Sequence, residues 1–224
     1  MFVPDRQPKE SARDFAFRTL KDNIVSLDLK PGTQISENEI AQVLGLSRTP
    51  VREAIIDLSK ASIIETVPQK GSYVSLIDQK MVDEARFVRD VLDKAVIRLA
   101  CRVADTESLD AMEENLHLQQ FYLEKGDPKR LFTLDNEFHR LIYVAADKET
   151  TFEMRSSMLL HFDRVRRLSL STVKDLKIVT DHQEMLSAIK SGDEEAAEAL
   201  VDKHLKRYKL DEPWMREEHP EFFK

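Results

Sequence analysis

Asp135 and His139 stand four residues apart in a run of helical periodicity, so their side chains leave one helix face about one turn apart. At that spacing a carboxylate and an imidazole can share one metal ion. His182 and His204 flank Gly192, ten residues before it and twelve after. In an antiparallel helix pair that turns at Gly192, these offsets amount to roughly 15 and 18 Å along the axes, so the two imidazoles come level. Four ligands from three helices, all pointing inward, describe a divalent-metal centre of the kind that bundles build between their helices. Imidazole with carboxylate suits Zn first, and Ni, Mn or Fe as well. Cys101 is the one cysteine, so neither an internal disulfide nor a cysteine-based zinc site is available.

A second group of residues points to nucleic acid. Arg48, Thr49 and Arg52 lie at or near the N-terminal end of an expected helix, off its apolar stripe of Val51, Ala54, Ile55 and Leu58. From that end of a recognition helix an Arg can contact guanine O6 and N7, while Thr49 and the helix N-terminus suit a phosphate or a thymine methyl. Lys70 and Gly71 sit at the tip of an expected hairpin with strands at 63–67 and 72–75. Such a wing brings one charge and accessible backbone to phosphate or the minor groove.

The elements that must carry these groups follow from the pattern of apolar residues and breakers. Phe17, Leu20, Ile24 and Leu27 mark a first helix that ends before Pro31-Gly32. Ser36 and Glu39 form a capping-box pattern that opens a short helix closed by Gly45. Ser47 is placed to cap the next helix, with Pro50 inside its first turn. Two short helices joined at Gly45-Leu46 are a helix-turn-helix pattern. Between Gly71 and Pro213 the only Gly or Pro residues are Gly126, Pro128 and Gly192, so the rest should be nearly all helix. The pattern predicts helices at about 78–104, 106–125, 129–146, 149–171, 174–190 and 194–209. Leu116, Phe121, Leu123, Leu131, Leu134, Phe138, Leu141 and Ile142 are expected mostly as their packing.

Composition bounds the functional class. Of 224 residues, 33% are charged and 42% hydrophobic, which describes a soluble globular chain. No apolar run is long enough to span a bilayer and the opening residues do not read as a signal peptide, so a cytoplasmic protein without membrane contact is expected. Residues 1–76 hold ten Lys/Arg and ten Asp/Glu, whereas 77–224 hold 24 against 31 and carry the whole net charge of −7. Two domains are expected, 1–76 and 77–224. The fold class is mainly α: a winged helix-turn-helix with a small β-hairpin, followed by an all-α bundle of six or more helices.

The run Leu29-Lys30-Pro31-Gly32, then Ser36-Glu37-Asn38-Glu39-Ile40-Ala41, then residues 44–55 with Ser47-Arg48-Thr49-Pro50-Val51-Arg52-Glu53-Ala54 at their centre, resembles the winged helix-turn-helix of the GntR family of bacterial transcriptional regulators. Lys70-Gly71-Ser72-Tyr73-Val74 resembles its wing. The resemblance implies that Arg48, Thr49, Arg52 and the wing touch double-stranded operator DNA, and that the chain is a homodimer. Asn38 departs from members that place an Arg there, as does Ala61-Ser62-Ile63-Ile64 from the usual turn before the wing. Residues 135–142, Asp181-His182 and His204-Leu205 are similar to the FCD effector-binding domain of the same family. There an Asp and three His hold a divalent metal above a small-molecule pocket. This implies a metabolite-responsive repressor whose effector is a small carboxylate. Residues 85–93 are similar to the first effector helix, where Arg89 matches an Arg that faces the pocket; an ion pair with Asp93 is the alternative role.

Other readings stay open beside this one. His161 can be packing, a neighbour of the ligands or a fifth ligand, and one or two of Arg164, Arg166 and Arg167 can face inward. His117 and His219 read as surface residues and Cys101 as a small buried hydrophobe. The metal can be structural, or itself the signal. A metal-dependent hydrolase lacks a general base, because Glu137 projects about 200° from Asp135 on the helical wheel. No enzyme is expected. Arg52→Ala should abolish sequence-specific DNA binding and leave metal content intact, and His182→Ala should remove metal first. Electrophoretic mobility shift and metal analysis on both variants check this, and equal loss of both activities in either variant contradicts the assignment.

Overall fold

The computed structural model describes residues 1–172 and 177–224. Helix α1 (Ala12–Val25) starts at Ser11, whose hydroxyl accepts from the Asp14 amide, and buries Phe15, Ala16, Leu20 and Ile24. The expected stripe is therefore shifted. Phe17 is half-buried, and Leu27 lies beyond the helix at positive φ, packed on the core of the second half. Helix α2 (Glu37–Leu44) opens at Ser36, which accepts from the Glu39 amide, and closes on Gly45 at φ +64. That left-handed turn, cheap for glycine, swings the chain into α3 (Arg48–Lys60).

Ser47 stands at the N-cap of α3 but makes no side-chain capping bond. The N-cap oxygen normally accepts from the second or third amide of the helix, and here the third is Pro50, which has none. Val51, Ala54, Ile55 and Leu58 are buried as the stripe requires. Strands β2 (Ile64–Val67) and β3 (Gly71–Val74) form the antiparallel hairpin. A third strand, β1 (Gln34–Ile35), pairs with β3 to give the order β1-β3-β2. Two residues are too few to display a period of two, so the sequence pattern misses it.

The second half is helical. Helices α4 (Gln79–Val103), α5 (Thr106–Lys125) and α6 (Pro128–Ala145) match expectation within a residue. The expected helix at 149–171 is instead two, α7 (Glu149–Ser156) and α8 (Leu160–Thr172). No Gly or Pro marks the break. It falls where Leu159 packs in the core of the helical half and Leu160 in the core of the N-terminal half, so neighbouring residues must face different interiors. Helix α9 (Ile178–Ser191) lies within the expected 174–190 and one residue beyond; its expected opening, 174–176, falls outside the described residues. Helix α10 (Glu194–Lys206) stops three residues short of expectation, and after Arg207 the chain starts α11 (Tyr208–Glu218), which runs through Pro213. Leu116, Leu131, Phe138 and Ile142 are buried, Leu123, Leu134 and Leu141 half-buried. Phe121 is corrected to a surface residue, its ring covered by Lys125 with Nζ 4.5 Å from the centroid. No helix among the described residues is long and apolar enough to cross a membrane.

The two halves are sewn together through α8. Arg164, fully buried, donates through Nη1 to Ser75 O at 2.6 Å and through Nη2 to Leu76 O at 3.4 Å and to His161 Nδ1 at 2.8 Å. His161 Nε2 in turn donates to Ser62 O at 3.0 Å. Burial, and then the neighbouring Arg164 charge, push this imidazole down to about 4, so it stays neutral and can accept on one nitrogen while donating from the other. The chain's last residues close the joint: Ile77 N donates to Phe222 O and Lys224 N to Ile77 O. Arg164→Ala strips donors from two buried backbone carbonyls, and should lower the unfolding free energy by about 3 kcal/mol, measured by urea denaturation. A loss within about 0.5 kcal/mol would show that the joint carries no stability.

Candidate metal centre and ligand cavity

Helix α6 presents Asp135 and His139 inward, α9 presents His182 and α10 presents His204, and all four are buried. One ligating atom from each lies within 4.8 Å of every other. The α9–α10 pair turns on Gly192, left-handed at φ +71, and brings the His182 and His204 rings level, with centroids 4.8 Å apart. His139 Nε2 and His204 Nε2 meet at 3.3 Å, and His182 Nε2 lies 3.5 Å from Asp135 Oδ1. Two donors of a tetrahedral ion with bonds of about 2.0–2.1 Å stand about 3.3 Å apart.

The protonation states support the same reading. Burial first, and then neighbouring positive charge, push His139 and His182 well below the ordinary imidazole range, and burial takes His204 down to about 4. Gln119 of α5 sets the tautomer of His182. Its amide nitrogen donates to Asn115 Oδ1 at 2.7 Å, so its Oε1 faces His182 Nδ1 at 2.9 Å and accepts from it. The lone pair of His182 Nε2 then confronts Asp135 Oδ1, and neither atom has a hydrogen-bond partner. Two buried acceptors facing each other with nothing to share are costly, and a cation between them removes the cost. His204 Nδ1 lies 3.7 Å from Asp181 Oδ2, too long for a hydrogen bond but on the side from which a carboxylate orients a ligating imidazole. Burial works against charge on Asp181, yet Arg207, His204 and Lys203 hold it far below the usual carboxylate range.

Beside His139 opens a cavity of about 530 Å³. Arg89, 1% exposed, lines it; its Nε donates to Asp93 Oδ2 at 2.9 Å, while Nη1 and Nη2 have no hydrogen-bond partner. The ion pair with Asp93 is therefore formed, and it uses one nitrogen of Arg89 and leaves two without a partner among the described residues. Arg155, also buried, lies with its guanidinium over the rings of Tyr143 and Phe152 and 3.7 Å from Asp93. Burial opposes charge on Asp93, but Arg155 and Arg89 overcome it and keep the carboxyl below its ordinary range. Arg166 pairs with Asp135 and with Asp163, and Arg167 lines the cavity. Arg164 and His161 turn away to the domain joint, so His161 is neither ligand nor ligand neighbour. Glu137 is engaged by Arg140 at 2.7 Å. Cys101 is half-buried rather than enclosed, and His117 is exposed.

In the N-terminal half, Arg48, Thr49, Arg52, Lys70 and Gly71 are all exposed. Arg48 and Arg52 leave α3 beside Glu37 of α2, at 3.6 and 3.9 Å. Gly71, at φ +111, lets the hairpin turn where a Cβ would come within 3.3 Å of Gln34 Nε2.

The model of the bacterial regulatory proteins of the gntR family matches residues 12–74, and that of the FCD domain matches 84–207. The chain belongs to the GntR family of bacterial transcriptional regulators. This GntR-family regulator is 30% identical to the HTH-type transcriptional repressor RspR of Escherichia coli (strain K12), over 96% of its own length and 95% of that protein. Its fold is shared with E. coli McbR/YncC, at TM-score 0.78, 20% identity and coverage of 93% of this chain and 99% of that one. A putative transcriptional regulator GntR from Rhodococcus sp. RHA1 gives TM-score 0.71 at 21% identity, covering 89% and 96%. The 30%-identical relative is named a transcriptional repressor, and the two solved structures share the fold.

Sequence reasoning about this regulator missed Gln119 and Arg155. Gln119 carried a signal: Met112, Asn115, Leu116 and Gln119 are one buried stripe of α5, and two amides interrupting an apolar face need partners inside. Arg155 carried none, since nothing in the spacing distinguishes it from a solvated arginine.

Proposed function

We propose that this regulator is a metabolite-responsive repressor in which residues 77–224 bind a divalent metal through Asp135, His139, His182 and His204 and a small carboxylate beside it, while residues 1–76 bind operator DNA. The observation that carries the reading is the conjunction of unpartnered acceptors at the four-residue cluster with two unpartnered nitrogens of buried Arg89 in the adjoining cavity. A bound divalent ion supplies a Lewis-acidic position for an anionic oxygen. Arg89 contributes a fixed, charge-assisted donor pair for the same anion, held in place by Asp93. Zn fits a carboxylate with three neutral imidazoles, as do Ni, Mn and Fe.

Arg48, Thr49 and Arg52 at the start of α3 are assigned to base edges and phosphates of the major groove, and Lys70 with Gly71 to the flanking backbone. Two copies are required for a two-fold operator. Phe87 and Val91, one turn apart on α4 and at least half exposed, offer an apolar face for such a homodimer. The protein acts in the cytoplasm, where its operator is. Ligand binding shifts the balance between two placements of the DNA-binding domains, which takes only a few kcal/mol of differential affinity.

Protein purified without chelator or a His tag should carry about one metal per chain, and carboxylic acids that bind should raise its melting temperature. A chain free of metal, unaffected by His139→Ala, His182→Ala or His204→Ala, refutes the metal site. If chelation melts the domain but leaves its response to acids intact, the metal is structural. Gln119→Leu should weaken Zn binding by about 10–100-fold while the fold persists, because His182 loses the acceptor that sets its tautomer. Competition with a chromophoric chelator measures that change.

A further inference from the structure

The cavity that Arg89 enters is not enclosed by the helical half alone. Phe2, Lys21 and Asn23 line it together with Arg89, His139 and Arg167. The wall that faces the metal cluster thus comes from α6, α4 and α8, and the opposite wall from α1 and the segment before it. That segment is fastened to α1. Phe2 N donates to Asn23 Oδ1 at 2.6 Å, and Asn23 Nδ2 donates back to Phe2 O at 2.7 Å and to Thr19 O at 2.7 Å. Asn23 is 3% exposed and Phe2 62%, so the clamp is anchored inside the domain and its outer end lies at the surface. The Phe2 ring lies under Lys129 of α6, with Nζ 5.3 Å from its centroid, and Lys129 pairs across the gap with Asp28 at 3.3 Å. Among the described residues Lys21 pairs with Asp22 at 3.5 Å, and its charge reaches Asp163, which also lines the cavity.

We propose that the DNA-binding half supplies part of the ligand site: Lys21 contacts the anion that Arg89 holds, and the Phe2–Asn23 clamp closes the cavity over it. The argument rests on the reading of this cavity as an anion site. Its cations outnumber their partners: Nη1 and Nη2 of Arg89, Nε of Arg155, and Nε and Nη1 of Arg167 are buried without acceptors. An oxyanion that satisfies Arg89 from the inner wall presents its remaining oxygens outward, where Lys21 is the cation that α1 offers. A ligand so placed bridges the two halves directly. Its binding energy then depends on where the DNA-binding domain sits, which is the differential affinity a regulator needs. No relay through the bundle is required.

The experiment uses the Zn-loaded full chain and inorganic phosphate as the probe oxyanion, with affinity read by calorimetry. Lys21→Ala and Phe2→Ala should each weaken phosphate binding roughly fivefold to tenfold. Arg89→Ala should weaken it more, and the exposed control Lys30→Ala should leave it unchanged. Phosphate should also slow hydrogen exchange at the α1 amides of residues 21–25 in the unmodified chain, a readout that needs no variant to fold. Unchanged affinity in Lys21→Ala and Phe2→Ala, with protection confined to residues beyond 77, overturns the two-walled site while the anion reading survives through Arg89→Ala. If Arg89→Ala binds like the parent, or the parent shows no saturable binding, the anion reading falls and this inference with it.

Discussion

Two buried carboxylates set the geometry of the helical half. Asp93 of α4 accepts from Arg89 and from the Tyr143 hydroxyl, at 2.9 and 2.7 Å, and faces Arg155, so α4, α6 and α7 converge on one charge. Asp135 of α6 accepts from Arg166 of α8 and faces His182 of α9. A carboxylate taken out of water must find opposite charge or donors, and each of these finds them on different helices. None of α4, α6, α7, α8 and α9 can slide along its axis without breaking such a pair. The same constraint gathers buried Arg89 and Arg155 and half-buried Arg166 around two anions, and leaves nitrogens of Arg89 and Arg155 without acceptors among the described residues.

How much of this was legible in the sequence varies with how local the cause is. Asp135 and His139 could be read because four residues on a helix is a fixed geometric relation, and His182 and His204 because Gly192 marks a turn and their offsets from it, ten and twelve residues, are similar. The capping of α2 and the buried stripe of α3 were legible for the same reason. The break between α7 and α8 was not, since it arises from Leu159 and Leu160 belonging to two interiors, and no local residue announces that. The helix through Pro213 is the converse case, in which a residue that usually ends helices is carried by the packing of its neighbours, among them fully buried Met215. Arg164, Arg166 and Arg167 looked alike on paper. Their separate fates, one to the joint, one to Asp135 and one to the cavity wall, follow from the roughly 100° between successive residues on a helix.

Helix α8 thereby has two jobs on two faces. Asp163 and Arg166 look toward the cavity and the ligand cluster; His161 and Arg164, a fraction of a turn away, look toward the segment that joins the halves. The neutral state of His161 matters to this arrangement, because a protonated ring could not accept from Arg164 and the guanidinium would face a second cation at close range.

The acceptors in that joint are, with one weak exception at the Ser75 hydroxyl, main-chain carbonyls: Ser62 O, Ser75 O and Leu76 O. Carbonyls are present whatever side chain stands at those positions. At these positions the helical half grips main-chain atoms, whereas Leu160 in the N-terminal core and Lys129 against Asp28 and Phe2 read side chains of that half. The carbonyl part of the joint therefore tolerates change at positions 62 and 76 as long as the hairpin and linker keep their path, while the side-chain part does not.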